Sequence, residues 1–152
     1  MDCRLELGKV LELYIAPVGT SGVRESVEEV TLLADCGIEG DKFAGKDALR
    51  SIMIIGHNSY DLAKKQGIEL PKVALGENIL LDFDPHSLPF GTGFSIGSAV
   101  IEITKGCTLC SHLTQYDNRL PKLVKNCRGI YAKVLKQGII RKGDCVTTFN
   151  EG

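Results

Sequence analysis

Short apolar segments separated by turn-forming residues recur along the whole chain. Seven of them stand out, at residues 10–15, 27–34, 49–55, 78–83, 99–104, 130–135 and 145–149. Several alternate between apolar and polar positions as a half-buried strand does, with Ile79, Leu81 and Phe83 on one face of their segment. A period of two residues dominates over the helical period of 3.6, and the pattern therefore predicts a mostly-β protein.

One helix is predicted after the third of these strands. Asn58 can cap its first turn, Asp61 follows three residues later, and Gly67 can take the left-handed backbone conformation that ends a helix. A second, shorter helix is predicted near residues 120–125. With about seven strands and one or two helices, the economical architecture is a β-barrel or closed sandwich with small helices covering one end, because closure leaves no exposed strand edge.

The chain reads as one domain over residues 1–152, since no linker, repeat or low-complexity tract divides it. Its composition, 43% hydrophobic and 24% charged, is ordinary for a soluble globular protein. The formal net charge of −1 provides no overall basic field to attract nucleic acid or acidic lipid. Neither a secretory signal nor an apolar run of about 18 residues is present. We therefore expect a cytoplasmic protein with no nucleic-acid or membrane partner, and base rates for oligomers favour a homodimer.

A glycine-rich segment at residues 37–45 imitates a phosphate-binding loop. Residues 40–46 match the G-x-x-x-x-G-K skeleton, but Asp47 stands where a serine or threonine would meet Mg²⁺, and its carboxylate would repel phosphate. The following residues, 48–55, are typical of a strand and not of the required helix, so we expect no nucleotide hydrolysis. The three glycines of the segment permit positive φ or the close approach of a ligand, and a tight connection between two strands is the simpler interpretation.

Two of the six cysteines, Cys107 and Cys110, form a C-x-x-C motif after the predicted strand 99–104. A thioredoxin-like redox pair requires a βαβ context, and a structural zinc site requires about four ligands, for which no second close pair is available. A single reactive thiolate fits better, because Lys105 and Arg128 are cations that favour a thiolate, and a soft thiolate suits a transition metal. Most of the other cysteines are expected to be buried small hydrophobes, because disulfides are rare in a reducing compartment.

Neither a histidine cluster nor a hydrolase motif is evident. The three histidines are scattered without the spacing of a metal site, and each is expected to be a surface or cap residue. The segment 93–97 has the letters of a G-x-S-x-G elbow but leads into a strand instead of a helix.

Several segments, taken together in their order and spacing along the chain, carry a resemblance to a known family. They are residues 37–45, Arg50, residues 76–79, residues 88–97, Cys110, residues 128–131 and Gly143-Asp144. Together they resemble the MOSC family, named for the C-terminal domain of molybdenum cofactor sulfurases, and in particular its stand-alone bacterial members of the YiiM type. The resemblance covers about residues 8–149 and implies a MOSC-type β-barrel with a few short helices, in agreement with the strand count.

The resemblance implies a functional cysteine at Cys110, in the segment Cys-Ser-His-Leu. In the reductase branch of the family this cysteine is a ligand of molybdenum, and in sulfurases it is proposed to carry or transfer sulfur. The implied cofactor is the molybdenum cofactor, whose pterin carries a phosphate and amide-like edges that basic and amide side chains should bind. The candidates are Lys42, Arg50, Lys105 and Arg128 for the anion, and Asn78 and Thr108 for polar contacts.

The implied function is that of a molybdenum-dependent oxidoreductase that reduces a small N-hydroxylated substrate, with Cys110 as metal ligand. No flavin or iron–sulfur motif is present, so electrons are expected from a separate donor protein. Two alternatives stay open: Cys110 carries sulfur as a persulfide, or the chain is a non-catalytic module that delivers cofactor to a receiving enzyme. Pyridoxal phosphate is not expected, because the aminotransferase-like domain of the sulfurases is absent. Tyr131, Asp41 and Asp144 are candidates for proton transfer or for satisfying turns.

Overall fold

A computed structural model describes residues 6–19, 24–108 and 111–149, with Glu6, Ser111 and His112 described by their backbone alone. The strands in these ranges are β1 (Glu6–Ile15), β2 (Glu25–Val27), β3 (Glu29–Leu33), β4 (Gly37–Ile38), β5 (Ile52–Gly56), β6 (Ile79–Leu81), β7 (Gly93–Ile96), β8 (Ala99–Gly106), β9 (Ile130–Lys136), β10 (Gly138–Arg141) and β11 (Cys145–Phe149). The helices are α1 (His57–Lys65) and α2 (Leu120–Leu123), and short 3₁₀ turns lie at Ala48–Arg50, Pro85–Ser87 and Ser111–Gln115.

Seven strands close into a barrel in the order β11-β7-β8-β9-β5-β6-β1, and β1 pairs back with β11. The β5–β6 pair is parallel, and the other barrel pairs are antiparallel. Strand β2 extends the sheet beyond β1, and β10, β3 and β4 form a separate three-stranded sheet. The predicted mostly-β barrel is confirmed.

Strand β5 shows why one of the apolar segments does not alternate. Its side chains point in turn to the barrel interior and to the helical layer, because successive residues of a strand face opposite sides. Ile52 and Ile54 belong to the barrel core, whereas Ile55 packs with Ala63 of α1 and Leu120 of α2. Both faces of β5 are covered, and a continuous apolar run is what such a strand requires.

The helix predicted after β5 is present, but its beginning differs from the prediction. Gly56 is the N-cap residue of α1, so Asn58 lies within the helix and does not cap it. The Asn58 side-chain oxygen is buried without a hydrogen-bond partner. Gly67, with φ +76, follows the last turn as expected. The second helix is confirmed as the short α2.

The segment 49–55 is only partly a strand. A 3₁₀ turn covers its first two residues, because the Asp47 side chain accepts a hydrogen bond from the N–H of Leu49 and caps that turn. The three glycines of the preceding loop, at positions 37, 40 and 45, all have positive φ, as the glycine-rich pattern indicates. These glycines permit the turns by which the chain passes from β4 towards the 3₁₀ turn and β5.

The described cysteines follow the expectation with one exception. Cys107 and Cys127 are free and buried, and Cys36 is free and half-buried. Cys145, the first residue of β11, is disulfide-bonded, so the expectation of a free thiol is wrong there.

Candidate functional site

A cavity of about 490 Å³ opens where the glycine-rich loop meets the barrel. Its walls come from that loop, from β5, from the segment before β6 and from the junction of β8 with β9. The charged lining residues are Arg24, Lys46, Asp47, Arg50 and Arg128. Cations therefore outnumber carboxylates in the lining, although the chain carries a net charge of −1. The cavity is suited to an anionic ligand.

Asp41 fixes the loop that forms one side of the cavity. Its carboxylate is 3% exposed and accepts hydrogen bonds from the backbone N–H groups of Ala16, at 2.8 Å, and Phe43, at 3.1 Å. An Arg24 nitrogen lies 3.8 Å from the same carboxylate. Because both carboxylate oxygens accept hydrogen bonds from backbone N–H groups, Asp41 stabilises the turn and is not free for proton transfer.

Arg24 brings a largely buried cation to the cavity. Its side chain is 16% exposed, and its Nη1, the atom that lies 3.8 Å from Asp41, is buried and makes no hydrogen bond. Burial lowers the pKa of Arg24, and the nearby carboxylates of Asp41 and Glu77 oppose that effect. The guanidinium also lies 5.4 Å from the ring centroid of Phe43. An anion bound in the cavity would stabilise this charge.

Arg128 also lines the cavity and is 4% exposed. Its Nη1 donates a hydrogen bond to the carbonyl oxygen of Leu75 at 2.6 Å. The carboxylate of Glu77 interacts electrostatically with Arg128 and Arg24, and it accepts hydrogen bonds of 2.8 Å from the Tyr60 hydroxyl. Burial nevertheless raises the pKa of Glu77. The hydrogen bond from Tyr60 and the charges of the two arginines act in the opposite direction and lower that pKa. Arg24 and Arg128 therefore both interact electrostatically with the carboxyl group of Glu77, and Arg24 also lies 3.8 Å from Asp41.

Cys107 and Tyr131 form a thiol–phenol pair in the cavity wall. The Tyr131 hydroxyl lies 3.5 Å from the sulfur of Cys107 and donates to it. Burial, followed by the contact with Cys107, raises the pKa of Tyr131 to about 12. The guanidinium of Arg50 lies 5.9 Å from the centroid of the Tyr131 ring. The phenol is therefore protonated at neutral pH, and its O–H group is directed at the Cys107 sulfur in the cavity wall.

A series of hydrogen bonds connects the backbone of Cys107 to Gly129 and His86. The N–H of Cys107 donates to the carbonyl oxygen of Gly129 at 2.9 Å, and the N–H of Gly129 donates to Nε2 of His86 at 2.9 Å. Since a backbone N–H can only donate, Nε2 is the acceptor and the ring proton lies on Nδ1, 2.8 Å from Asp84. His86 is therefore an internal support, contrary to the expectation of a surface or cap residue. Cys107 and Arg128 also line a second cavity, of about 210 Å³, which His86 borders.

The structure brings some of the sequence-predicted residues together. Arg50, Asn78 and Arg128 line the cavity, whereas Lys42, Lys105 and Thr108 do not belong to its described lining. Cys110 falls outside the described residues, so its proposed role stays a prediction.

Three of the predicted residues have definite local contacts or exposure. Asn78 is 3% exposed, and its side chain bonds to the backbone of two strands. Lys42 lies at the cavity mouth, with its nitrogen 5.8 Å from the ring centroid of Phe43. Thr108 is exposed.

Arg24 and Lys46 were not predicted from the sequence as site residues. The functional role was assigned to Cys110 and not to Cys107. Arg24 carries no local signal, because it is separated in sequence from every segment of the predicted site. Lys46 was visible only as part of the rejected phosphate-loop pattern.

The described residues contain neither a metal-binding cluster nor a membrane-spanning helix. No group of three or more histidine, cysteine, aspartate or glutamate residues is arranged to hold a metal ion there. No helix in the same part of the chain is long and apolar enough to cross a membrane.

Comparison with known proteins adds a family and a set of folds. A family model described as MOSC domain matches residues 41–147. The structure is similar to that of the YuaD protein from Bacillus subtilis, with 20% identity and a TM-score of 0.73 over 91% of this chain and 93% of that one. It is also similar to YiiM from Geobacillus stearothermophilus, with 18% identity and a TM-score of 0.70 over 95% and 76% of the two chains. These identities support the fold alone. No curated protein sequence matches the chain.

Proposed function

The chain belongs to the MOSC family, whose domains are generally associated with the molybdenum cofactor, and from this premise we propose that it binds that cofactor in the 490 Å³ cavity. We further propose that it reduces a small N-hydroxylated compound and that Cys110 is the protein ligand of the metal. The observation that carries the proposal is the cationic lining of the cavity, which includes a buried arginine nitrogen without a hydrogen-bond partner.

The residues present fit the cofactor's chemistry. A pterin phosphate is an anion, and guanidinium groups bind phosphate oxygens through paired donors. Arg24 and Arg128 would hold this phosphate, with Arg50 and Lys46 contributing from the more exposed side. The remaining amide N–H of Asn78 is available for a polar edge of the pterin. When bound, the cofactor supplies two-electron chemistry that removes oxygen from nitrogen.

The chain's own contribution is binding and proton supply. Reduction of R–NH–OH to R–NH₂ and water breaks the N–O bond and consumes two electrons and two protons. Tyr131, which lines the cavity and is hydrogen-bonded to Cys107, would pass one proton from its hydroxyl group to the leaving oxygen and regain it from water, and the second proton comes from water directly. The electrons come from a separate donor protein, since the sequence contains no flavin or iron–sulfur motif.

The test is metal and pterin analysis of protein produced in a host that makes the molybdenum cofactor. We expect near-stoichiometric molybdenum and pterin in the wild type, and loss of most of the molybdenum in Cys110→Ser with an unchanged circular dichroism spectrum, because a hydroxyl is a poor ligand for a soft metal. Cys107→Ser is the matched control and should retain more metal. Equal loss in both variants would favour a dithiol site, and wild-type protein without either component would contradict cofactor binding.

The same preparation distinguishes the alternatives. A sulfur carrier predicts a mass increase of about one sulfur atom on Cys110 that a reductant removes. A delivery module predicts bound cofactor without turnover of N-hydroxylated substrates under any reductant. Turnover with a small chemical reductant, lost in Cys110→Ser, would support the reductase.

A further inference from the structure

Four lining residues of the 490 Å³ cavity are exposed: Phe43, Lys46, Asp47 and Arg50. We define the mouth patch as these four residues and three neighbours. Leu49 precedes Arg50 in the sequence, the nitrogen of Lys42 lies 5.8 Å from the ring centroid of Phe43, and the N–H of Val18 donates to the carbonyl oxygen of Gly40 in the same loop at 3.3 Å. Three of the four most exposed large hydrophobic side chains in the described residues belong to it: Val18 at 73%, Leu49 at 47% and Phe43 at 40%. Apolar side chains exposed together at a site entrance are typical of an interaction surface.

The charges of the mouth patch are predominantly positive. It contains three cations and one carboxylate, Asp47, which lies 3.5 Å from Arg50 in a half-exposed pair. The chain as a whole has a net charge of −1, so positive charge is concentrated here and negative charge predominates elsewhere. Such segregation attracts an acidic partner to one face and orients its approach.

The backbone under the mouth patch is fixed by hydrogen bonds. Asp41 accepts from the N–H of Phe43, and Asp47 accepts from the N–H of Leu49 at 3.0 Å. The hydroxyl of Thr104 on β8 donates to the carbonyl oxygen of Leu49 at 2.5 Å. A surface whose backbone is already ordered loses less conformational entropy on binding.

We propose that the mouth patch docks an acidic electron-carrying protein over the cavity entrance. The inference rests on the proposed function, because that reaction needs two electrons per substrate from an outside donor. The mouth patch combines exposed apolar side chains with exposed charges, and both kinds of side chain occur in protein–protein interfaces. Nucleic acid fits less well, because Arg24 and Lys42 already lie over the ring of Phe43, the aromatic side chain on which a base would stack.

The first experiment measures binding of the full chain to a purified acidic flavodoxin by isothermal titration calorimetry. We expect binding at about 20 mM salt that weakens at least tenfold at about 300 mM salt, because exposed charges are screened. Leu49→Glu should weaken binding roughly tenfold or more by placing a carboxylate in the patch. Leu135→Glu is the matched control: Leu135 is 39% exposed near the far end of β9, and its substitution should leave binding unchanged.

The second experiment separates this proposal from the proposed function. Turnover of an N-hydroxylated substrate is measured with reduced methyl viologen and with reduced flavodoxin as alternative donors. Leu49→Glu should retain the viologen-driven rate and lose most of the flavodoxin-driven rate. Absence of turnover with viologen in the wild type would contradict the proposed function. The docking surface would then be decided by the calorimetric comparison of Leu49→Glu with Leu135→Glu.

Three outcomes would overturn the docking surface. One is equal weakening of flavodoxin binding by Leu49→Glu and Leu135→Glu, and another is unchanged binding of Leu49→Glu. The third is no measurable binding to either flavodoxin or a [2Fe–2S] ferredoxin. If a single-stranded oligonucleotide binds instead and Leu49→Glu abolishes that binding, the patch is a nucleic-acid surface and the proposal is wrong.

Discussion

The buried side chain of Asn78 connects two strands of the barrel. Its Oδ1 accepts a hydrogen bond from the N–H of Met53 on β5 at 3.0 Å, and its Nδ2 donates to the carbonyl oxygen of Tyr14 on β1 at 3.1 Å. The backbone N–H and carbonyl groups of Asn78 bond to the same two residues at 2.8 Å. The amide thus spans β5 and β1 just before β6 enters between them.

Asn78→Ala removes both side-chain hydrogen bonds at once. The N–H of Met53 and the carbonyl of Tyr14 then lose buried partners, at about 1–3 kcal/mol each. We expect a loss of roughly 3 kcal/mol in the free energy of unfolding, from a total of about 5–15 kcal/mol for a typical domain. At about 2–4 °C per kcal/mol for a chain of this size, the melting temperature should fall by roughly 6–12 °C.

Urea denaturation of cofactor-free protein measures this loss without interference from ligand binding. Thr108→Ala is the control, because Thr108 is an exposed polar residue that was assigned to the same cofactor contact. Its unfolding free energy should change by no more than about 0.5 kcal/mol. A loss below about 1 kcal/mol for Asn78→Ala, combined with loss of pterin binding in cofactor-loaded protein, would refute the structural role and favour a direct contact.

Two further substitutions test the supports of the cavity. Burial raises the pKa of Glu77 in the folded state. The protonated carboxyl therefore contributes stability that is fully present below the ordinary glutamate pKa of about 4.3. This contribution is lost as the pH rises through the raised pKa. Glu77→Gln should therefore flatten the fall in unfolding free energy above that pH in a urea series, and an unchanged slope would contradict this. His86→Leu removes the acceptor of the Gly129 N–H and should cost about 1–3 kcal/mol, whereas His86→Gln, whose amide oxygen can accept, should recover much of it. Equal melting temperatures for the two His86 variants would refute the role of the acceptor.

The barrel was predictable from sequence because most of its strands carry their own signal. Strands β9 and β11 were located to within one residue, since each alternates or ends cleanly at turn residues. Strands β4, β7 and β10 were not predicted. Strand β4 has two residues, and β7 and β10 each have two apolar side chains among four, so none is long enough to establish a period.

The candidate site was less predictable because it is assembled from distant parts of the chain. Arg50, Asn78 and Arg128 were found through the family resemblance, and the structure brings them to one cavity. Arg24 was missed because it reaches the cavity only when β2, which follows it, pairs with β1, and no local sequence pattern encodes that pairing. The same holds for His86, whose acceptor role depends on a residue 43 positions away.

The cations around the cavity divide by exposure into two groups with different ranges of action. Arg24 and Arg128 are largely removed from water, so their charge acts mainly on a ligand inside the cavity, where screening is weak. Lys46 and Arg50 are exposed at the mouth, where their fields decay within a Debye length of about 8 Å at physiological salt. Salt should therefore weaken protein docking at the mouth far more than ligand binding inside. Measuring both salt dependences on one preparation tests this division, and equal dependences would mean that the outer cations contribute as much to ligand binding as the inner pair does.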